Sequence, residues 1–431
     1  MIKEIAMKKR LKFIVSFFLI LMIFVSMLYV PVSSYDNDVE TSTADMLLVN
    51  LDTDTVVFSQ KPDNKWYSGS LAELMTYLLA YENMTEPEKT EFPVEQAFID
   101  ELPDSDGSLD NYVDETLNAK DLMAITLLTS GSDSAYALAY LVNGSDLSGF
   151  VDMMNEKGEE LGFKDTVYVS PGFSESSEQH TTCRDVFKLY NAVRSTDIFK
   201  EVMKEKKYTP NGLDEEDYTV TPEASILNSD SPYYFKYTND AKYSYSENTY
   251  ANIVLTTTYR DMTYLYVGLL GLNESEENVY ADARKLITWA YLNLSDRKIL
   301  NSEDAVTEVT VNSGWGEYVM PLYSLASTYK TYPKDFDEKL ISFDIKVPDS
   351  VSLPVYKGQK VGKATIKYDK DKVEEIDLGV DRDEGLDMLD DCARFAAHVF
   401  DEMLVNGKHG KESGTESEGE ADKGSGSEST E

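Results

Sequence analysis

Strand-like segments at both ends of a long helix-rich stretch restrict the available folds more than any other feature of this chain. Ala44-Asp45-Met46-Leu47-Leu48-Val49-Asn50-Leu51 and Thr55-Val56-Val57-Phe58-Ser59 read as a hairpin around Asp52-Thr53-Asp54. Residues 251–258 and 262–270, rich in β-branched and aromatic side chains, read as a second hairpin turning at Tyr259-Arg260-Asp261. Between them the period becomes helical. Leu74, Met75, Leu78 and Leu79 recur at helical spacing within 71–81, and 120–142 reads as two helices meeting at Thr129-Ser130-Gly131. Further helices are expected over 147–161, stopped by Gly162, over 182–193, and over 277–294. Strands at both ends with helices between them imply an α+β domain whose terminal segments share one sheet.

At 431 residues the chain exceeds the usual single-domain length, and the period changes after Ser295. Short strands punctuated by Pro348, Pro354 and Gly358 predict a small β-sandwich over 305–381. A helical period returns over 384–405, and 406–431 is too rich in Gly, Ser and Glu to pack, so disorder is expected there. The first domain is assigned to 44–295. Residues 1–34 carry a basic cluster (Lys3, Lys8, Lys9, Arg10, Lys12) and then an uncharged apolar run ending in Val32-Ser33-Ser34. That is a secretory signal or an uncleaved membrane anchor, and either places the remainder outside the cytoplasm.

The formal charge of −38 repels nucleic acid and anionic lipid, which excludes polyanions as partners. Acidic residues outnumber Arg394 in the 384–405 helix, so it is expected to dock on protein rather than lipid. Cys183 and Cys392 fall in different predicted domains, and with His180, His398 and His409 they show no ligand spacing. A structural disulfide between the two cysteines stays open without a pattern to support it, and no metal or other cofactor is expected.

Ordered landmarks from about 44 to 381 resemble the low-molecular-mass penicillin-binding proteins, the serine D-Ala-D-Ala carboxypeptidases that trim peptidoglycan stems. Met46-Leu47-Leu48-Val49-Asn50-Leu51, Lys61-Pro62-Asp63-Asn64-Lys65 and Ser70-Leu71-Ala72-Glu73-Leu74-Met75-Thr76 resemble the family's first strand, turn and nucleophile helix. Leu117-Asn118-Ala119-Lys120-Asp121-Leu122-Met123 with Ser130-Gly131-Ser132-Asp133-Ser134-Ala135 resembles its second motif helix. His180-Thr181-Thr182-Cys183-Arg184-Asp185 and Val355-Tyr356-Lys357-Gly358 resemble its middle segment and its β-rich C-terminal domain. The resemblance implies a serine β-lactamase/transpeptidase-like domain followed by a β-domain. It also implies a cell-envelope setting, with a peptidoglycan stem peptide or other envelope component as partner.

Family enzymes need a serine activated by a lysine three residues on, a second serine with an asparagine, and a Lys-Thr-Gly strand for the substrate carboxylate. By resemblance Ser70 and Ser130 are the catalytic candidates, while Glu73 stands at the lysine position and Ser132 at the asparagine position. A carboxylate there opposes alkoxide formation. Ser-x-x-Glu at a helix start reads instead as a capping box, and Ser130–Ser132 as a tight connection between helices. For the third motif, one register sets Tyr243-Ser244-Tyr245 over Lys-Thr-Gly and a one-residue slip sets Lys242-Tyr243-Ser244 there. The slip decides which face Lys242 and Ser244 occupy. In both registers the glycine is lost. A substrate carboxylate about 7 Å from Glu73 would meet about 2 kcal/mol of repulsion if no cation offset it. His180 is expected at the cleft rim. The expectation is therefore an envelope protein of this family, impaired or inactive in turnover, that binds or scaffolds. The competing expectation is an active carboxypeptidase using Ser70 with Glu73 or Ser130 as an unconventional base, and a third is a module for an unrelated ligand.

Overall fold

The computed structural model describes residues 39–102, 107–174, 176–246, 250–270, 276–302, 304–313, 316–368 and 371–385. The expected leader at 1–34, the 386–405 part of the expected C-terminal helix, and the tail lie outside the described residues. The described residues divide into two compact units, one of 39–299 with Thr328–Ile341, the other of Leu300–Ser327 with 342–385.

The first unit is built on a five-stranded sheet of β1 (Asp45–Asn50), β2 (Thr55–Gln60), β3 (Thr238–Ser246), β4 (Tyr250–Tyr259) and β5 (Met262–Leu270), in the order β2-β1-β5-β4-β3. The N-terminal strand pairs antiparallel with the last one, Asp45 opposite Leu269 and Asn50 opposite Tyr264. The ends of the segment therefore do share one sheet. All of β1 is buried, because helices cover both sheet faces. Alternation sorts its side chains: Leu47 and Val49 join Val254, Val267 and Leu269 on one side, while Met46 and Leu48 join Ile253, Leu255 and Tyr266 on the other. A strand buried on both faces must read as a continuous apolar run, and Met46-Leu47-Leu48-Val49 does.

The first side carries α1 (Glu73–Asn83), α2 (Ala119–Leu128), α3 (Ser132–Asn143), α4 (Leu147–Glu160) and α5 (Cys183–Val193); the second carries α6 (Glu276–Asn293). Residues Glu73 to Ala80 of α1 are all buried, as expected of a helix surrounded by others. The break between α2 and α3 falls at Thr129–Gly131, and Gly162 follows α4 with φ +73°, a left-handed turn that favours glycine. A reciprocal capping box does occur, at Asn118 and Asp121 opening α2.

The second unit is β-rich. Strands β6 (Ala305–Asn312), β7 (Glu317–Ser324), β8 (Ile341–Lys346), β9 (Ser350–Ser352), β10 (Lys360–Tyr368) and β11 (Asp371–Gly379) form a six-stranded sheet in the order β8-β10-β11-β7-β6-β9. Val309, Val311, Met320, Leu322, Ala364, Ile366 and Leu378 are buried at alternating positions. Cys183 is a buried free thiol, and Cys392 lies outside the described residues. Among the described residues no helix is long and apolar enough to cross a membrane.

Candidate active site

Three segments converge at one end of the first unit: the turn leading into α1, the α2–α3 break, and the edge strand β3. Gly69–Ala72 form a 3-10 turn that runs directly into α1, which places Ser70 in the turn and Glu73 at the first helical position. No side chain caps this junction, so the expected capping box between Ser70 and Glu73 is not formed. The reason is competition. A stronger partner, a charged amine, engages the carboxylate, and the serine lies inside the turn instead of ahead of the helix.

That amine is Lys242. Its Nζ lies 2.7 Å from Glu73 Oε2, with the lysine side chain only 2% exposed and the glutamate 0%. The ammonium also donates to the Thr126 carbonyl at 2.8 Å and to the Thr129 carbonyl. Both belong to the end of α2, where carbonyls lack helical partners and the dipole is negative. Glu73 occupies the complementary place, at the positive start of α1. An ammonium has three N–H groups, and all three are engaged.

Ser132 Oγ donates to Glu73 Oε1 at 3.2 Å and accepts from the Phe173 amide at 2.7 Å. The 172–173 segment approaches so closely that a Cβ on Gly172 would fall 2.6 Å from Ser132 Cβ. Burial pushes the Glu73 carboxyl up to about 7; Lys242 and the Ser132 hydroxyl pull it down, and Glu223 adds a small upward push.

Ser70 is 4% exposed. Its hydroxyl donates to the Ser130 carbonyl at 3.2 Å, and its amide donates to Ser244 Oγ at 2.8 Å. Ser130 in turn donates to the Tyr243 carbonyl at 3.1 Å. The register of β3, with Lys242 opposite Val254 and Ser244 opposite Asn252, turns Lys242 and Ser244 toward the cleft and Tyr243 and Tyr245 to the other face. Lys242 is thus the cation that offsets Glu73, and the repulsion expected of an uncompensated carboxylate does not arise. His180 pairs with Tyr67 just ahead of the Ser70 turn, and its Nδ1 lies 2.8 Å from the Glu178 carbonyl. Among the described residues no cluster of His, Cys, Asp or Glu could hold a metal ion.

Sequence reasoning brought Ser70, Glu73, Ser130, Ser132, Lys242 and Ser244 to one place but missed how they are joined. The Thr126 and Thr129 carbonyls and the Phe173 amide are backbone groups without a sequence signature. The Glu73–Lys242 pairing did leave a signal: a carboxylate where the resemblance expects a lysine, and a lysine on the strand that the resemblance sets facing it.

Residues 32–271 match the family model described as D-alanyl-D-alanine carboxypeptidase, and residues 295–385 match that of the penicillin-binding protein 5 C-terminal domain. The chain belongs to the D-alanyl-D-alanine carboxypeptidase family. This family works in peptidoglycan metabolism, on stem peptides. D-alanyl-D-alanine carboxypeptidase DacF of Bacillus subtilis is 21% identical over 347 residues, covering 78% of this chain and 84% of that protein. DacA of Haemophilus influenzae is 21% identical over 344 residues, covering 79% and 84%. Among solved structures, penicillin-binding protein 5 of Haemophilus influenzae superposes with a TM-score of 0.66 at 20% identity, covering 81% of this chain and all of that one. PBP3 of Streptococcus pneumoniae gives 0.61 at 18% identity, covering 80% and 100%. At these identities the structural matches establish the fold of this carboxypeptidase-family member and leave its chemistry to its own residues.

Proposed function

We propose that this member of the carboxypeptidase family does not acylate and instead binds or scaffolds peptidoglycan on the outer side of the cytoplasmic membrane. The observation that carries the reading is that the charged groups and donors of the cleft satisfy one another. An attacking serine needs a base to take its proton. Ser70 Oγ donates to a carbonyl, which takes no proton, while Glu73 faces Lys242 and Ser132. A tetrahedral oxyanion needs free amides about 2.7–3.1 Å away. The Ser70 amide is held by the Ser244 hydroxyl at 2.8 Å. That hydroxyl stands where the resemblance, in the Lys242-Tyr243-Ser244 register, expects a glycine with no side chain to intrude. With every Lys242 N–H engaged, no donor of that ammonium remains for a substrate carboxylate. The basic start and apolar run of 1–34 support delivery across the membrane.

The test is labelling of the full chain with a fluorescent penicillin beside Ser70→Ala, together with D-alanine release from diacetyl-L-Lys-D-Ala-D-Ala. Neither protein should label or release D-alanine, and peptidoglycan fragments should raise the melting temperature of both. Labelling that disappears in Ser70→Ala, followed by turnover, would establish the competing reading of an active carboxypeptidase.

A further inference from the structure

The face of β3 turned away from Ser70 and Glu73 carries an aromatic ladder that lies outside the candidate site. The Tyr245 and Tyr243 rings lie 6.3 Å apart with planes within 8°. Tyr243 then stands 5.3 Å from Tyr280, and Tyr280 stacks at 5.3 Å on Tyr233. Tyr280 is fully buried, so the ladder is rooted in the core on the α6 side of the sheet and emerges at Tyr245, which is 45% exposed. Rings held in this way lose little conformational freedom when a ligand settles on them. Tyr237 and Tyr259, at the opposite end of the β3–β4 pair, carry Lys236 and Arg260 at 4.7 and 5.2 Å from their ring centres, and of these rings Tyr245 is the most exposed.

We propose that Tyr245, buttressed by Tyr243 and Tyr280, is a stacking platform for an uncharged N-acetylated oligosaccharide. The axial C–H groups of a pyranose form an apolar face that matches an aromatic ring, while its hydroxyl and amide groups stay in water beside the phenol hydroxyl. The chain's charge of −38 works against anionic polymers such as a polyphosphate-linked one and leaves neutral sugars unopposed. Position supports the choice. The Tyr243 carbonyl accepts the Ser130 hydroxyl inside the cleft while its ring belongs to the ladder, so one residue touches both surfaces. A polymer with peptides branching from a sugar backbone can place a peptide at the cleft and a sugar on this platform. The identity of that polymer rests on the reading above, whereas the stacking does not.

The experiment titrates the full chain with a tetrasaccharide of N-acetylglucosamine by calorimetry and, separately, with diacetyl-L-Lys-D-Ala-D-Ala. Saturable sugar binding is expected, weakened about tenfold or more in Tyr245→Ala. It should be unchanged in Tyr356→Ala, which removes a tyrosine 60% exposed in the β-rich unit. Sugar binding that Tyr245→Ala leaves intact, or that Tyr356→Ala weakens equally, overturns the platform, as does no saturable binding at all. The peptide arm separates the two ideas. Sugar binding without peptide binding leaves the platform standing and removes the cleft as a stem-peptide site, and the reverse removes the platform alone.

Discussion

The two faces of strand β3 are made of alternate residues of one segment, yet they have opposite fates. On one side Lys242 and Ser244 are buried and consumed by partners within the cleft; on the other Tyr243 and Tyr245 lead outward to solvent. The difference is between side chains that bond to one another in the interior and a face that reaches solvent. A buried charge is tolerated only when paired and fully hydrogen-bonded, so a buried acid at Glu73 commits Lys242, the end of α2 and the Ser132 hydroxyl to it. An exposed tyrosine makes no such demand on its neighbours.

The largest effect should come from leaving half of the buried pair. Lys242→Met strands the Glu73 carboxylate and should lower stability by about 3–5 kcal/mol in urea unfolding. A loss below about 1 kcal/mol would mean that the pair is not the lock of this face. The reversed pair, Glu73→Lys with Lys242→Glu, tests whether pairing or position matters. Because it sets the acid against the α2 carbonyls, it should recover only part of what either single change loses, and full additivity of the two would break the coupling.

The pH dependence follows from the direction of the Glu73 shift. Its carboxyl is raised from 4.5 to about 7 in the folded chain, so its contribution is fully present below about 4.5 and is lost as pH rises through about 7. Melting temperatures of the parent should therefore fall relative to Glu73→Gln across that window. Parallel curves would show that Lys242 holds the carboxylate ionised throughout. The smallest effect is expected at Ser244→Gly. It removes one hydrogen bond to the Ser70 amide, about 1 kcal/mol, and opens the position without supplying a base, so penicillin labelling should stay absent. Labelling that appeared on this change alone would overturn the proposal that Glu73 keeps Ser70 from acylating and assign that role to the Ser244 hydrogen bond.

Much of this was legible in order along the chain. Hydrophobic period gave the hairpins and helices, and the α2–α3 break could be read from Thr129-Ser130-Gly131 because small residues end one helix and admit another. The Ser70–Glu73 junction departs from the capping box that its spacing predicts. Local spacing cannot anticipate that a strand residue 169 positions away competes for the carboxylate.

The sequence by itself determined the α+β plan with its β-rich second part and the family, since each of these is written in residue types and their spacing. Only the tertiary structure decided the register of β3, hence which face received Lys242 and which received the tyrosines. It also decided which backbone carbonyls and amides bond to Lys242 and Ser132. Those choices depend on which buried groups come within hydrogen-bond reach of one another, and that is a property of packing in three dimensions.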